Sequence, residues 1–421
     1  MSGNPAIAFI LFGTLLLFPG IPMAQEPVIG ATVDEFLVLA ARMNPERAAA
    51  RLDEEAALAR AEGAGALPDP VFQWSLEDIS QNRASLPGRV GSEKFTVQQE
   101  VPWWGKRKAE REIAQARSRE AGGRLAQVEA ELALRIKTAY AEGYRVRETM
   151  ARNGEGIKVL ETLERLARSR YAQGMGDQEA LIAIEAQRSE RMIEQVRLTR
   201  EWQRIQARLN VLVHRKPDAP IVDHPELRPL PAKESLDAAR LWQRALDNNP
   251  ALVMAKARLL AAMGDRQLAE VSWYPDFSID FGLIDRREPG ENNGYEASIA
   301  LNLPLQQRVR QGRLKETMAT VGALRETLRA EQARLEGELH EAISSMEEVR
   351  EVTRIITGSL VPQGKMALQT ALNGYRTGIG AADSVWDAVG QLQKKQVDLI
   401  EAYYEGQVRL ARIEHMIGGQ L

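Results

Sequence analysis

The side chains best able to do chemistry are scattered through this sequence rather than gathered. His214, His224, His340 and His415 share no ligand spacing, the methionines follow no pattern and cysteine is absent, so no metal site is predicted. No phosphate-cradling glycine loop, nucleophile elbow or zinc helix can be found. Most Asp and Glu stand among Arg and Lys on charged stretches and read as solvated helix faces. The expectation is neither an enzyme nor a cofactor-binding protein. What recurs is a turn chemistry: Tyr171, Gly174 and Gly176 return as Tyr375, Gly378 and Gly380, and glycine there permits the positive φ that ends one helix before the next begins.

Those turns belong to a unit written twice. Asn44-Pro45 returns as Asn249-Pro250, an offset of 205, and in that register Pro70 meets Pro275, Phe72 meets Phe277 and Trp74 meets Ile279. Near the end of each unit, at an offset of 204, Ala207-Arg208 falls on Ala411-Arg412. So long a period is too great for a solenoid repeat and reads as duplication of a half-protein. The predicted division is a first repeat over 25–216, a proline-rich strap over 217–234 and a second repeat over 235–421.

Composition agrees with long helices rather than a spherical core. Aromatic residues make up 5% and charged residues 27% of the 421 residues, which suits helices rich in Ala, Glu, Arg and Leu. With 55 basic against 58 acidic residues and a net charge of −3, there is no concentrated basic face for nucleic acid. Ala6 to Phe18 is almost wholly apolar and ends at Pro19-Gly20, Pro22 and Ala24, which predicts a secretory signal over 1–24; a retained anchor is the alternative. Absence of Cys excludes a lipid-anchored cysteine. No later stretch is long and apolar enough for a transmembrane helix, so entry into a membrane requires strands.

Four segments alternate with period two and predict strands at about 71–78, 94–101, 276–284 and 295–303. They form two hairpins with polar connections rich in Gly, Pro, Asn and Arg. A soluble sheet gives the same alternation, but a membrane admits strands only as a closed barrel. Four strands cannot enclose an aqueous lumen, since small barrels already need about eight. Three copies would supply twelve, an even number in the bacterial range. Trp103 and Trp104, at the exit from strand to helix, fit either a membrane-interface aromatic belt or a packing contact between helix and sheet.

After each hairpin comes a helical run, Gly105 to Tyr171 and Val309 to Tyr375, each about 100 Å long at 1.5 Å per residue. Returning helices with apolar seams complete two antiparallel coiled-coil hairpins, over about 105–214 and 309–417. Breaks are predicted at Asn153-Gly154-Glu155-Gly156 in the first run, and at Gly358 with Pro362 in the second. Shorter helical staves precede each hairpin, divided at Asn44-Pro45 and Asn249-Pro250.

The doubled unit, Leu67-Pro68-Asp69-Pro70 before a strand, Val101-Pro102-Trp103-Trp104-Gly105-Lys106-Arg107 after one, and the Tyr-x-x-Gly tip turns together resemble the TolC-like outer membrane factors. The resemblance covers essentially the whole mature chain. It implies a mainly α fold with a membrane β-barrel: a homotrimer with a twelve-stranded barrel in outer-membrane lipid, continued by a long coiled-coil helical tunnel through the periplasm. It implies a passive exit duct served by a periplasmic adaptor, or membrane fusion protein, and by an inner-membrane pump of the proton-driven resistance-nodulation-division type. The Pro-Asp-Pro and Pro-Trp-Trp-Gly-Lys-Arg wording is closer to the heavy-metal-efflux branch. In the family a second tip turn leads into Asp-Val-Leu-Asp-Ala, whose carboxylates ring the periplasmic mouth; here Ser384-Val385-Trp386-Asp387-Ala388 stands there. Asp387 carries over, and Asp383 is the candidate for the other acid. The resemblance also makes Leu181 and Val385, with the two turns, adaptor contacts. The alternative function is a periplasmic coiled-coil scaffold or adhesin without a channel.

Overall fold

The computed structural model describes residues 27–77, 79, 90–174, 178–223, 225–287 and 290–421. The expected signal segment 1–24 and Gly176 lie outside them. Each repeat begins with two staves: α1 (Val33–Met43) and α2 (Pro45–Gly63) in the first. Then come strands β1 (Val71–Glu77) and β2 (Ser92–Val101), and the helical hairpin α3 (Lys106–Ala172) and α4 (Gln178–Leu212). The second repeat runs α5 (Ala238–Asn248), α6 (Pro250–Val271), β3 (Phe277–Arg286), β4 (Gly294–Leu301), α7 (Gln307–Ile355), α8 (Val361–Thr377) and α9 (Ala382–Ile417).

The Asn-Pro pairs do more than divide the staves. Asn44 caps α2 by accepting the Arg47 N–H at 3.1 Å, and its amide donates to the Leu212 carbonyl at 2.9 Å. Asn249 accepts from the Leu252 N–H at 3.1 Å and donates to the Met416 carbonyl at 2.9 Å. An Asn serves here because one side chain offers both an acceptor for the cap and a donor for the end of the returning helix. Proline in the first helical turn then costs nothing, its missing N–H being an orphan anyway. The two Asn-Pro pairs thus correspond in their hydrogen bonds as well as in their spacing.

The two long helical runs differ where breaks were expected. In the second, Ile356–Leu360 forms a π-helical turn between α7 and α8. Gly358 lowers helix propensity there, and Pro362 has no N–H to continue the α-helical ladder, so the chain widens by one residue. The first run does not break: α3 is continuous for 67 residues. Glycine alone costs a helix about 1 kcal/mol, and packing outweighs that here. The Asn153 amide donates to the Arg191 carbonyl and to Gln195 Oε1, both at 2.9 Å. Gly156 leaves room for Gln393, whose Oε1 would lie 3.3 Å from any added Cβ.

Among the described residues, three apolar clusters hold the body together. One joins Phe36, Ile136, Trp202, Ile205 and Leu209 of the first repeat, and its counterpart joins Leu241, Leu252, Leu339, Met346, Ile413 and Ile417 of the second. The third lies between the two hairpin tips. The strap is fastened across α3: the Tyr140 hydroxyl donates to the Ala31 carbonyl at 2.7 Å and accepts the Glu226 N–H at 3.1 Å. The whole chain exposes 26,794 Å², where a compact monomer of this mass exposes roughly 16,000 Å². The fold is elongated and leaves much surface for partners.

Candidate functional site

All four strands join one antiparallel sheet in the order β1-β2-β3-β4. Pairing of β2 with β3 places Val97 opposite Phe281, while the hairpin registers place Phe72 opposite Val97 and Phe281 opposite Ala297. The neighbouring row of the same face is Trp74, Phe95, Leu283 and Tyr295, and further along come Ile279 and Ile299. One face is therefore apolar through these rows, with Gln99 beside Ile279 and the acids Glu93 and Asp285 at its loop end. The other carries Gln73, Thr96 and Glu296, then Gln98, Asp280 and Ser298. Lys94 pairs with Glu296 on it, and the Ser298 hydroxyl donates to Asp280 at 2.9 Å.

Among the described residues, none packs over either face. Phe72 is 66%, Ile299 72% and Tyr295 79% exposed, and among the described residues β1 and β4 each have an unpaired outer edge. A soluble domain hides such a face against helices and blunts such edges. A water-filled barrel in lipid requires both: apolar residues outward, polar residues inward, and edges that close on another strand.

Where strands meet helices, the two tryptophans play different parts. Trp103 stacks on Tyr274, centroids 5.1 Å apart and planes 6° from parallel, and its backbone N–H donates to Asp276 at 2.8 Å. Lys106 clamps the same carboxylate with Nζ at 2.8 and 2.7 Å from its oxygens. Trp104 touches Phe277, centroids 5.4 Å apart, yet stays 72% exposed. Trp103 thus makes the packing contact, and Trp104 is the ring left free at the margin of the apolar face.

At the opposite end the two hairpin tips pack on each other. Arg170 of α3 lies over the Tyr375 ring at 4.9 Å and donates to the Tyr375 carbonyl at 3.1 Å. Gly174 and Gly378 take positive φ of 70° and 84°, as their turns demand. At Gly380 an added Cβ would come within 3.0 Å of the Gly374 carbonyl carbon. Tyr171 is exposed and Leu181 half-buried. Val385 needs correction: it is 0% exposed in the tip core, alongside Tyr375 at 6%. A side chain already enclosed by Leu163, Ile184 and Ala382 supports the tip from within and cannot touch a partner. The residue missed at the surface is Ile379, 90% exposed inside the second turn; an apolar residue between two turn glycines was the available signal.

Asp383 and Asp387 both stand exposed at the start of α9, four residues apart and hence on one face. Neither has a hydrogen bond or ion pair among the described residues. Ser384, three residues before Asp387, and Asp383, four before it, both neighbour it on the helix.

A buried charge hub went unforeseen. Glu414 is 3% exposed, with Lys137 Nζ at 2.8 Å and Arg228 donating at 3.1 and 2.8 Å to its two oxygens. The Leu421 N–H adds a fourth donor at 3.1 Å. Burial by itself pushes this carboxyl up, but the bonds from Arg228 and Lys137, the Lys137 charge and the Leu421 N–H together hold it below the usual carboxylate range. First repeat, strap, second repeat and C-terminal tail all meet on this side chain. Its equivalent is Asn210, which donates to the Ala219 carbonyl at 2.8 Å to fasten the strap. A lone acid inside the apolar seam of Leu410, Ile413 and Ile417 was the sequence signal.

Among the described residues no helix is long and apolar enough to cross a membrane, and no group of three or more His, Asp or Glu side chains could hold a metal ion. Residues 241–419 match the sequence model of the outer membrane efflux protein family. No curated protein matches the chain in sequence. Solved structures share its fold at low identity. The outer membrane protein VceC of Vibrio cholerae superposes with a TM-score of 0.77 at 18% identity, over 92% of this chain and 96% of that one. CusC, studied for folding and transmembrane channel formation, gives 0.76 at 14% over 96% of each. The open MtrE outer membrane channel of Neisseria gonorrhoeae gives 0.73 at 16%, over 92% of this chain and 89% of that one. The second half of the chain thus matches the sequence pattern of the outer membrane efflux protein family, and the chain as a whole shares the fold of these solved structures.

Proposed function

We propose that three copies of this chain form the outer-membrane exit duct of a tripartite efflux system, conducting cargo passively from an inner-membrane pump and its periplasmic adaptor to the exterior. The observation that carries this reading is the uncovered sheet, apolar on one face, polar on the other and open at both edges. Joining β4 of one copy to β1 of the next makes twelve strands, and the ten-residue β2 and β3 are long enough to cross tilted. The helices support the same assembly. α4 and α7 lie on opposite flanks of α3 and α9. Their outer faces carry exposed apolar residues, Ile182, Ile193 and Val196 on one, Val352 and Ile355 on the other. A scaffold without a channel would leave the apolar sheet face in water.

In this reading residues 1–24 direct export, and the hairpin tips, with Tyr171, Gly174, Leu181, Gly378 and Ile379 at or near their surface, receive the adaptor. The pump is of the resistance-nodulation-division type. Metal cations are the cargo we infer from the Pro68-Asp69-Pro70 and Trp103-Trp104-Gly105 wording, and a duct needs no fixed site for them. Asp383 and Asp387 ring the periplasmic mouth, where three copies of each repel anions and attract cations.

Planar-bilayer recording of the purified trimer tests the duct and the ring together. Steady conductance is expected, and Asp387→Ala should weaken block by divalent cations at least about tenfold, the factor that corresponds to 1.4 kcal/mol. Recovery as a soluble, non-conducting monomer would end the duct reading. Unchanged conductance and unchanged block in Asp387→Ala would remove that residue from the mouth.

A further inference from the structure

We propose that the junction between sheet and helices binds the anionic headgroups of glycerophospholipids in the membrane leaflet on the helix side, an inference that rests on the membrane reading above. The apolar face does not stop with the strands. It continues through Leu303 and Leu305, 64% and 81% exposed, and ends in a ledge formed by Trp104 and Tyr274. Rings of this kind settle at headgroup level, where one part of the side chain is in lipid and another in water.

Directly past the ledge stand cations placed against the preference of their own helices. A helix N-terminus carries partial positive charge and favours acids in its first turn, yet neither α3 nor α7 has one there. Instead α3 opens with Lys106, Arg107 and Lys108, while α7 carries Arg308, Arg310, Arg313 and Lys315 before its first acid, Glu316. Both openings flank the same turn, since Arg310 donates to the Ser272 carbonyl at 3.1 Å and Lys106 to the Tyr274 carbonyl at 3.4 Å.

Part of this charge is used structurally. Lys106 is held by Asp276, Arg107 donates to the Gly65 carbonyl at 2.7 Å and Arg310 is held by Ser272. Lys108 reaches Glu112 only at 3.8 Å. Arg308, Arg313 and Lys315 are exposed and have no hydrogen bond or ion pair among the described residues. A layer of negative charge at this end of α7 would neutralise these cations and relieve the repulsion of Arg308 from the helix N-terminus. A phospholipid supplies it: acyl chains lie along Leu303 and Leu305, and the phosphodiester meets the cations. Each basic residue at an anionic surface strengthens attraction roughly fivefold. The three together therefore give a preference on the order of a hundredfold.

The test uses the full chain in phosphatidylethanolamine vesicles containing a minority of phosphatidylglycerol, with lipopolysaccharide added in a parallel set. Native mass spectrometry reads the lipids retained on released trimers. Wild type should retain phosphatidylglycerol at least tenfold over its share of the vesicle. The triple variant Arg308→Gln, Arg313→Gln, Lys315→Gln should lose that enrichment to within about twofold while still inserting as conducting trimers. Trimers that form normally but show no enrichment, keep it in the triple variant, or hold lipopolysaccharide instead overturn this inference alone. A chain that enters neither kind of vesicle overturns the membrane reading and this inference with it.

Discussion

Glu414→Ala should destabilise the chain by about 3–5 kcal/mol, the usual cost of stranding a buried charge. Lys137, only 8% exposed, would lose its carboxylate partner. Arg228, 21% exposed, can turn toward water, so most of the loss falls on the lysine and on the four segments that Glu414 joins. Glu414→Gln should cost less, since the amide oxygen still accepts one bond. Denaturant titration checks this: the midpoint should fall with no change in slope, and a shift worth under about 1 kcal/mol would show the hub to be dispensable. The pH dependence follows from the lowered carboxyl. A group held lower in the folded than the unfolded state adds stability that is complete above its unfolded pKa and is lost as pH falls through the folded one. Wild type should therefore lose this contribution in the range below the ordinary carboxylate pKa, and Glu414→Gln should not.

Phe281→Arg and Asp280→Arg, neighbours on β3, should behave oppositely. Phe281 lies in the middle of the apolar face, where an Arg facing lipid costs about 2–4 kcal/mol in each copy; three copies make assembly in the membrane strongly unfavourable. The heat-resistant trimer band should fall by more than tenfold in outer-membrane fractions. Asp280 faces the polar side beside Ser298, so its replacement should leave trimers intact and shift ion preference toward anions. Equal tolerance of the two substitutions would mean that the sheet does not separate lipid from water.

Much of this was legible because it rests on local rules. Period-two alternation in Phe72 to Leu76 and Phe277 to Leu283 carried the two faces of the sheet, and the turn glycines at 174 and 378 carried the helix ends. Partners distant in sequence were not legible. Asn153 and Gly156 read as a break because nothing nearby reveals Gln195 and Gln393, which stabilise the continuous helix. The burial of Val385 has no local periodic mark, because it comes from packing between two tips on hairpins some two hundred residues apart. Glu414 hid for a related reason: its partners Lys137 and Arg228 lie 277 and 186 residues away. Asn44 and Asn249 were visible as punctuation, but their ties to Leu212 and Met416 were not.

Closure of the sheet between chains is best tested by disulfide trapping, since the chain has no cysteine of its own. Gln73 on β1 and Glu296 and Ser298 on β4 share the polar face. Gln73→Cys is therefore combined in turn with Glu296→Cys or Ser298→Cys. Bridging demands Cα atoms about 4.4–6.8 Å apart, which neighbouring strands meet and the two outer edges of one open four-stranded sheet do not. Oxidation of outer membranes should give a covalent band of three chains for at least one pair, sensitive to reductant. A bridge formed only within single chains, or a ladder that stops at two, would contradict a barrel built from three shared sheets.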